Sequence, residues 1–149
     1  MKETAIICEA CDQAGELFGN GFHCAEAVAW AVLQSLGQDP TLAAAHATPF
    51  GGGFGKTYGD ACGALSGGLI AIGHIHGRKD PSGDWDLPAS LGAGLRQHFV
   101  ETWGTTHCAT LRDEFGEEFQ MERCREVVRA VTRDLLELLA RNHGKELPG

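Results

Sequence analysis

Four cysteines, Cys24, Cys62, Cys108 and Cys124, each fall at or just inside the predicted start of a different helix. The first-turn N–H groups and the positive end of the helix macrodipole favour negative charge, so a thiol placed there leans toward thiolate. Thiolate is the form that binds metal or attacks a disulfide. Core filling has no preference for first turns. Four such placements, on helices that can pack together, predict a pocket that holds a metal centre or passes electrons through sulfur. Cys24 opens the apolar stripe of one helix and Cys124 that of another, so both are expected to point inward; for either alone, a small core hydrophobe is the competing reading. Cys62 has the sharpest surroundings. It follows the glycine-rich run Phe50-Gly51-Gly52-Gly53-Phe54-Gly55 and opens Cys62-Gly63-Ala64-Leu65-Ser66-Gly67-Gly68. Glycines such as Gly63 and Gly67 leave space for a bulky group or let backbone N–H groups reach sulfur, but tight helix packing needs the same small residues. Both readings stay open.

Helices must position these thiols, and hydrophobic periodicity predicts an all-α chain. A first helix runs from about Glu3 to Phe18 and ends at Gly19-Asn20-Gly21. A second covers about His23 to Leu36, and a short third Thr41 to Ala47 between Pro40 and Pro49. The stretch Phe50 to Gly59 is too rich in glycine for helix or strand and needs unusual backbone angles. A fourth helix, capped by Asp60 and spanning Ala61 to about His74, is apolar for most of its length and is expected to be the buried central one. A polar connection, Gly77 to Pro88, leads to a fifth over Ala89 to Thr102, then a sixth over His107 to Phe115. The last runs from about Glu118 to Asn142, with Gly144 closing it. Its stripe is Cys124, Val127, Val128, Val131, Leu135, Leu138 and Leu139. The expectation is a single compact helical bundle of about six to seven helices, one cysteine-rich redox-type domain over residues 1–149.

Composition narrows the function. A chain of 149 residues buries a core without staples, so the six cysteines are not needed to rescue the fold. The net charge of −8 argues against nucleic acid or an anionic membrane as partner. The N-terminus has no apolar run of signal-peptide length, and no segment approaches a membrane span. A soluble protein of the reducing cytoplasm is expected, where cysteines read as metal-binding or catalytic.

Other candidate groups read more plainly. Cys8-Glu9-Ala10-Cys11 is a C-x-x-C pair on one helix face, able to form a dithiol couple or extend a metal site. Asp12 stands where a c-type haem site requires histidine. His23 and His107 each precede a proposed ligand cysteine, but helical neighbours point about a hundred degrees apart, so they are placed beside the site or in solvent. His74 and His76 suit the negative end of the fourth helix as imidazolium. Trp30, Trp85 and Trp103 are expected as core or interface anchors. Gly55-Lys56-Thr57 has the ending of a phosphate loop, but Phe50 stands where its first glycine belongs and no strand precedes it.

Taken together, Phe22-His23-Cys24-Ala25-Glu26-Ala27-Val28, the Phe50–Gly55 run, Gly59-Asp60-Ala61-Cys62-Gly63-Ala64-Leu65-Ser66-Gly67-Gly68-Leu69, Cys108-Ala109-Thr110-Leu111 and Cys124 resemble a known family. It is the family of small redox-active proteins named for a C…GCAxxG…C…C pattern, which is similar to the non-haem part of split-Soret cytochromes. The resemblance implies an iron–sulfur cluster, of the 2Fe-2S type, with Cys24, Cys62, Cys108 and Cys124 as its metal ligands and Gly63 and Gly67 beside it. Zinc accepts four thiolates as well and is the alternative metal. Cys8 and Cys11 lie outside the pattern.

Three readings follow. In the first, the chain is an electron-transfer protein passing single electrons to a redox partner protein. In the second, it is a thiol-disulfide redox enzyme with Cys62 as nucleophile and another cysteine resolving it. The third is a zinc-stabilised binding module. A homodimer is compatible with all three.

Overall fold

The computed structural model describes residues 2–146, with side chains through Asn142; Met1 and residues 147–149 lie outside it. It is all-α, with seven α-helices and no strand among the described residues. The helices are α1 (Lys2–Leu17), α2 (Cys24–Ser35), α3 (Thr41–Ala47), α4 (Gly63–His76), α5 (Asp86–Trp103), α6 (Cys108–Phe115) and α7 (Gln120–Glu146), with a single 3-10 turn at Thr48–Phe50.

The centre is α2 rather than α4. Ala25, Ala27, Val28, Ala29, Ala31, Val32 and Leu33 are buried over most of its circumference, and it packs on α1, α3, α4 and α7. Helix α4 buries Gly63 to Gly68 between α2, α5 and α7, but its outer face leaves Leu69 40% exposed. The closeness of the α2–α4 contact comes from Gly67, where a Cβ would run into the backbone of Ala25. Leu91, Leu95 and Phe99 of α5 and Val127, Val128, Val131 and Leu135 of α7 complete the core. From α7, Arg125 donates from Nε to the Gly15 carbonyl (3.0 Å) and from its terminal nitrogen to that of Phe18 (3.2 Å), satisfying acceptors at the end of α1.

Three helix starts differ from the sequence expectation, each for a local reason. Asp60 does not cap α4. Its segment is extended, the Ala61 backbone bridges to His107, and the helix opens at Gly63 with Cys62 as N-cap. Helix α5 begins three residues early because the Asp84 carboxylate accepts from the N–H groups of Asp86 (2.9 Å) and Leu87 (3.3 Å), and Pro88 is tolerated in a first turn. Helix α7 begins late, after a turn in which the Phe119 N–H bonds the Gly116 carbonyl (3.2 Å). Even from this later start Cys124 stands a full turn inside α7, so only three of the four cysteines lie at helix starts. At its other end α7 passes through Gly144 to Glu146.

Candidate metal and redox site

Two of the cysteines are presented by the same device. His23 and His107 are the N-caps of α2 and α6, and each ring accepts, at Nδ1, the N–H three residues on, from Glu26 and Thr110 (both 3.4 Å). The opposite nitrogen, Nε2, bonds a loop carbonyl: Thr48 for His23 (2.9 Å) and Gly59 for His107 (3.1 Å). Glu26 returns the bond by accepting the His23 N–H (3.1 Å), closing a capping box. Each histidine therefore fixes the first residue of its helix, Cys24 or Cys108, against the glycine-rich segment. The sequence already carried the sign, a histidine before each cysteine with Glu or Thr three residues later.

Cys62 is brought to Cys108 by main-chain bonds. The Cys62 N–H donates to the Thr106 carbonyl (2.7 Å), the Cys108 N–H to Asp60 (2.8 Å), and the Ala109 N–H to Tyr58 (3.0 Å). The run between Phe50 and Gly59 then closes over them. Gly52, Gly53, Phe54, Gly55 and Lys56 are consecutive left-handed residues, with φ between 61° and 72°. Left-handed backbone disfavours side chains by about 1–2 kcal/mol each, and Phe54, Lys56 and Tyr58 all adopt it. Bonds from the N–H groups of Gly55 to Pro49 (2.8 Å), Lys56 to Gly51 (3.1 Å) and Tyr58 to Gly52 (2.9 Å) offset that strain.

The result is one cavity of about 770 Å³ lined by Cys24, Cys62, Cys108 and Cys124 together. Cys24 is the common neighbour: its charge acts on each of the other three thiols. Gly63 lines the same space, and a Cβ there would collide with the Cys24 sulfur. At Gly53 a Cβ would stand 2.7 Å from Cys108 Cβ. Gly67 lies off the cavity, and its smallness serves the α2–α4 contact. Cys8 is exposed and Cys11 buried on α1, and neither reaches the cavity, so the C-x-x-C pair does not extend it.

The electrostatics run against the expectation of ready thiolates. Desolvation by the surrounding protein, and next the Cys24 charge, drive the Cys62 thiol far above its usual range. The backbone N–H groups of Ala64 and Leu65 on its sulfur only partly counter this. Burial raises Cys108, and pushes Cys124 up to about 11, with Cys24 adding repulsion to both. Arg112 opposes the rise at these two. Its guanidinium stacks over the Tyr58 ring at 4.0 Å, at the cavity wall. A hydrogen bond with Cys24, helped by the Thr48 carbonyl, raises His23. Sequence reading missed Arg112, Lys56 and Tyr58, because their convergence on the thiols depends on tertiary packing.

The tryptophans divide, and one further expectation, for His76, changes. Trp85 is 68% exposed, its ring lying 5.7 Å from the Arg78 guanidinium, so it anchors no core; Trp30 and Trp103 are partly buried against Phe22 and Phe115. His76 ends α4, but desolvation lowers its pKa, and its Nε2 is shut from solvent without a partner, which disfavours an imidazolium there.

The family pattern described as "Putative redox-active protein (C_GCAxxG_C_C)" matches residues 22–138, a span holding all four cavity cysteines and excluding Cys8 and Cys11. The chain belongs to this family. None of the curated proteins and none of the solved structures matches it. The family's description is of redox activity, and in this chain four cysteines within the matched span line one space. Among the described residues, no helix is long and apolar enough to cross a membrane.

Among those residues, too, no three Cys, His, Asp or Glu side chains stand close enough to hold a single metal ion. The four thiols line one cavity. A two-iron cluster asks four thiolates to bind as two pairs, whereas a tetrahedral zinc asks all four to meet within about 2.3 Å of one atom.

Proposed function

We propose that this chain is an iron–sulfur redox protein that holds its cluster, of the 2Fe-2S type, through Cys24, Cys62, Cys108 and Cys124, and exchanges single electrons with a redox partner protein. The observation that carries the reading is the shared cavity: four cysteines from four helices, drawn from distant points of the chain, line it together. When bound, such a cluster supplies a one-electron couple. The chain's own residues supply the rest. Cys62 receives N–H bonds from Ala64 and Leu65, the kind of contact that stabilises a metal-bound thiolate and raises a cluster's potential. Arg112 at the wall offsets negative charge at Cys108 and Cys124, while the chain's net −8 pulls the potential down. The left-handed turn lets glycine backbone stand where side chains would fill the space.

Zinc, which accepts four thiolates as well, is the second metal to consider, and the iron and sulfide analysis below separates the two. Thiol-disulfide chemistry led by Cys62 is disfavoured, because a desolvated thiol held protonated is a poor nucleophile.

The test is a visible absorption spectrum of anaerobically purified protein before and after dithionite, with iron and sulfide analysis. The expected protein is brown and bleaches on reduction. Single Cys→Ser changes at residues 24, 62, 108 and 124 are expected to lose most of the iron, while Cys8→Ser and Cys11→Ser keep it. A colourless protein that dithionite leaves unchanged, or iron retained by a Cys24→Ala, Cys62→Ala double variant, refutes the proposal.

A further inference from the structure

The thiol cavity is larger than a cluster needs. A four-atom iron–sulfur core, at the roughly 30 Å³ per centre that a water molecule takes, occupies on the order of 120 Å³ of the 770 Å³ present. The whole volume falls in the range of small-molecule sites, about 300–1,000 Å³. Its remaining wall has the make-up of such a site. Phe18, Phe22, Leu111, Phe115, Met121 and Val127 provide an apolar surface. Lys56 and Arg112 provide cations, and Arg112 is held in place by its stack on Tyr58. The charge distribution is selective. The chain carries 20 Asp and Glu against 12 Lys and Arg, yet among the described residues lining this cavity none is acidic.

We infer that the cavity also binds a small organic anion with a flat apolar body, its carboxylate on Arg112 and Lys56 and its body against the phenylalanine wall. Two positive side chains, with no carboxylate to neutralise them within the lining, select negative charge. The aromatic wall selects a ring over a hydrated inorganic ion, which gains nothing from apolar contact. Arg112 presents the planar fork that carboxylates fit in pairs of hydrogen bonds. The neighbouring groove of Thr102 and Phe119 offers aromatic surface and one cation, Arg123, too, but Glu114, Glu122 and Glu126 outnumber that cation and repel the same ligand. Arg112 also faces the charge that the thiols hold, so iron content is measured in each sample beside ligand binding and the two are read separately.

The experiment compares 2-naphthoate with 2-naphthamide, which share a ring system and differ in charge, by equilibrium dialysis against anaerobically purified protein. One 2-naphthoate per chain is expected, bound roughly tenfold or more tightly than the amide, as a charge-assisted hydrogen bond implies. Arg112→Gln is expected to erase most of that ratio without changing amide binding, and Phe119→Ala, in the neighbouring groove, to leave both unchanged. If Arg112→Gln does not fold, as its circular dichroism melt will show, Lys56→Gln at an exposed loop position carries the test, with the ratio expected to fall severalfold. Equal affinity for acid and amide, no saturable binding of 2-naphthoate at millimolar concentration, or a loss on Phe119→Ala alone overturns the inference.

Discussion

Two glycines of α4 should respond in opposite directions to the same substitution. A methyl group at Gly67 would overlap the Ala25 carbonyl oxygen and stand 2.9 Å from its carbonyl carbon and Cα, all of them backbone atoms of α2 that cannot rotate away. A methyl at Gly73, on the exposed face, meets nothing within 4 Å. Replacing an interior helix glycine by alanine gains about 0.8–1 kcal/mol of helix propensity in either place. At Gly73 that gain stands alone, and a chain of this length converts it to a rise in Tm of about 2–4 °C. At Gly67 it is set against overpacking of about 1–3 kcal/mol, taken at the upper end because the obstacle is main chain. The net loss of about 2 kcal/mol lowers Tm by about 4–8 °C. The only escape is for α2 to move off α4, which carries Cys24 away from Cys62, so Gly67→Ala should also lose iron where Gly73→Ala does not. Thermal melts by circular dichroism, with iron analysis of the same samples, measure both effects. A Gly67→Ala protein as stable as the parent would refute the packing argument, since no backbone clash of this kind is free.

Gly63→Ala sets a methyl against the Cys24 sulfur and 3.2 Å from the Phe50 carbonyl oxygen, so bound iron should fall by more than half while the helical signal persists; full iron would show that the sulfur has room to turn. Cys8 is exposed, whereas burial pushes the Cys11 thiol up to about 11, so iodoacetamide at pH 8 should label Cys8 at least tenfold faster, as followed by peptide mass spectrometry. Desolvation on α7 raises the Asp134 carboxyl above its usual range despite Arg133 and His98 nearby. A raised carboxyl adds stability while protonated and loses it as pH climbs through the folded value. Asp134→Asn should therefore melt higher than the parent at pH 7, with the difference closing as pH falls toward about 4; an equal gap at both pH values would discount the effect.

Local signals carried most of the fold. Pro40 and Pro49 bracket α3, and its limits, Thr41 to Ala47, could be read without error. The apolar stripe of α7 and the glycines after α1 were equally plain. What failed was settled by partners far along the chain. Asp60 looks like a helix cap until its carbonyl is taken by the N–H of Cys108, and no local rule anticipates that bond. Cys124 was grouped with the helix starts because it opens the apolar stripe of α7, but a stripe begins where packing begins, and that is a full turn after Gln120. The four thiols could be grouped from type and position, but Lys56 and Arg112 could not be joined to them. Their place depends on a left-handed turn that puts three non-glycine residues where sequence statistics expect none.

The contest at the thiols turns on magnitude. A helix start favours a charge by about 0.3–1 kcal/mol at the surface and rarely more than about 2. Desolvation can move a buried group by as much as about 3–5 pKa units, or several kcal/mol. Placement at a helix start therefore cannot by itself keep Cys62 or Cys108 ionised, and both are raised. Nor could the group ionise together as bare thiolates, since Cys24 repels each of the other three. A cation among them reverses every one of those terms at once: repulsion between sulfurs becomes shared attraction, and the N–H groups of Ala64 and Leu65 then bond a thiolate that stays charged. The arrangement that opposes four free thiolates is the one that favours four thiolates around a positive centre. On the function proposed above, that is how a metal centre would overcome the burial that otherwise keeps these thiols protonated.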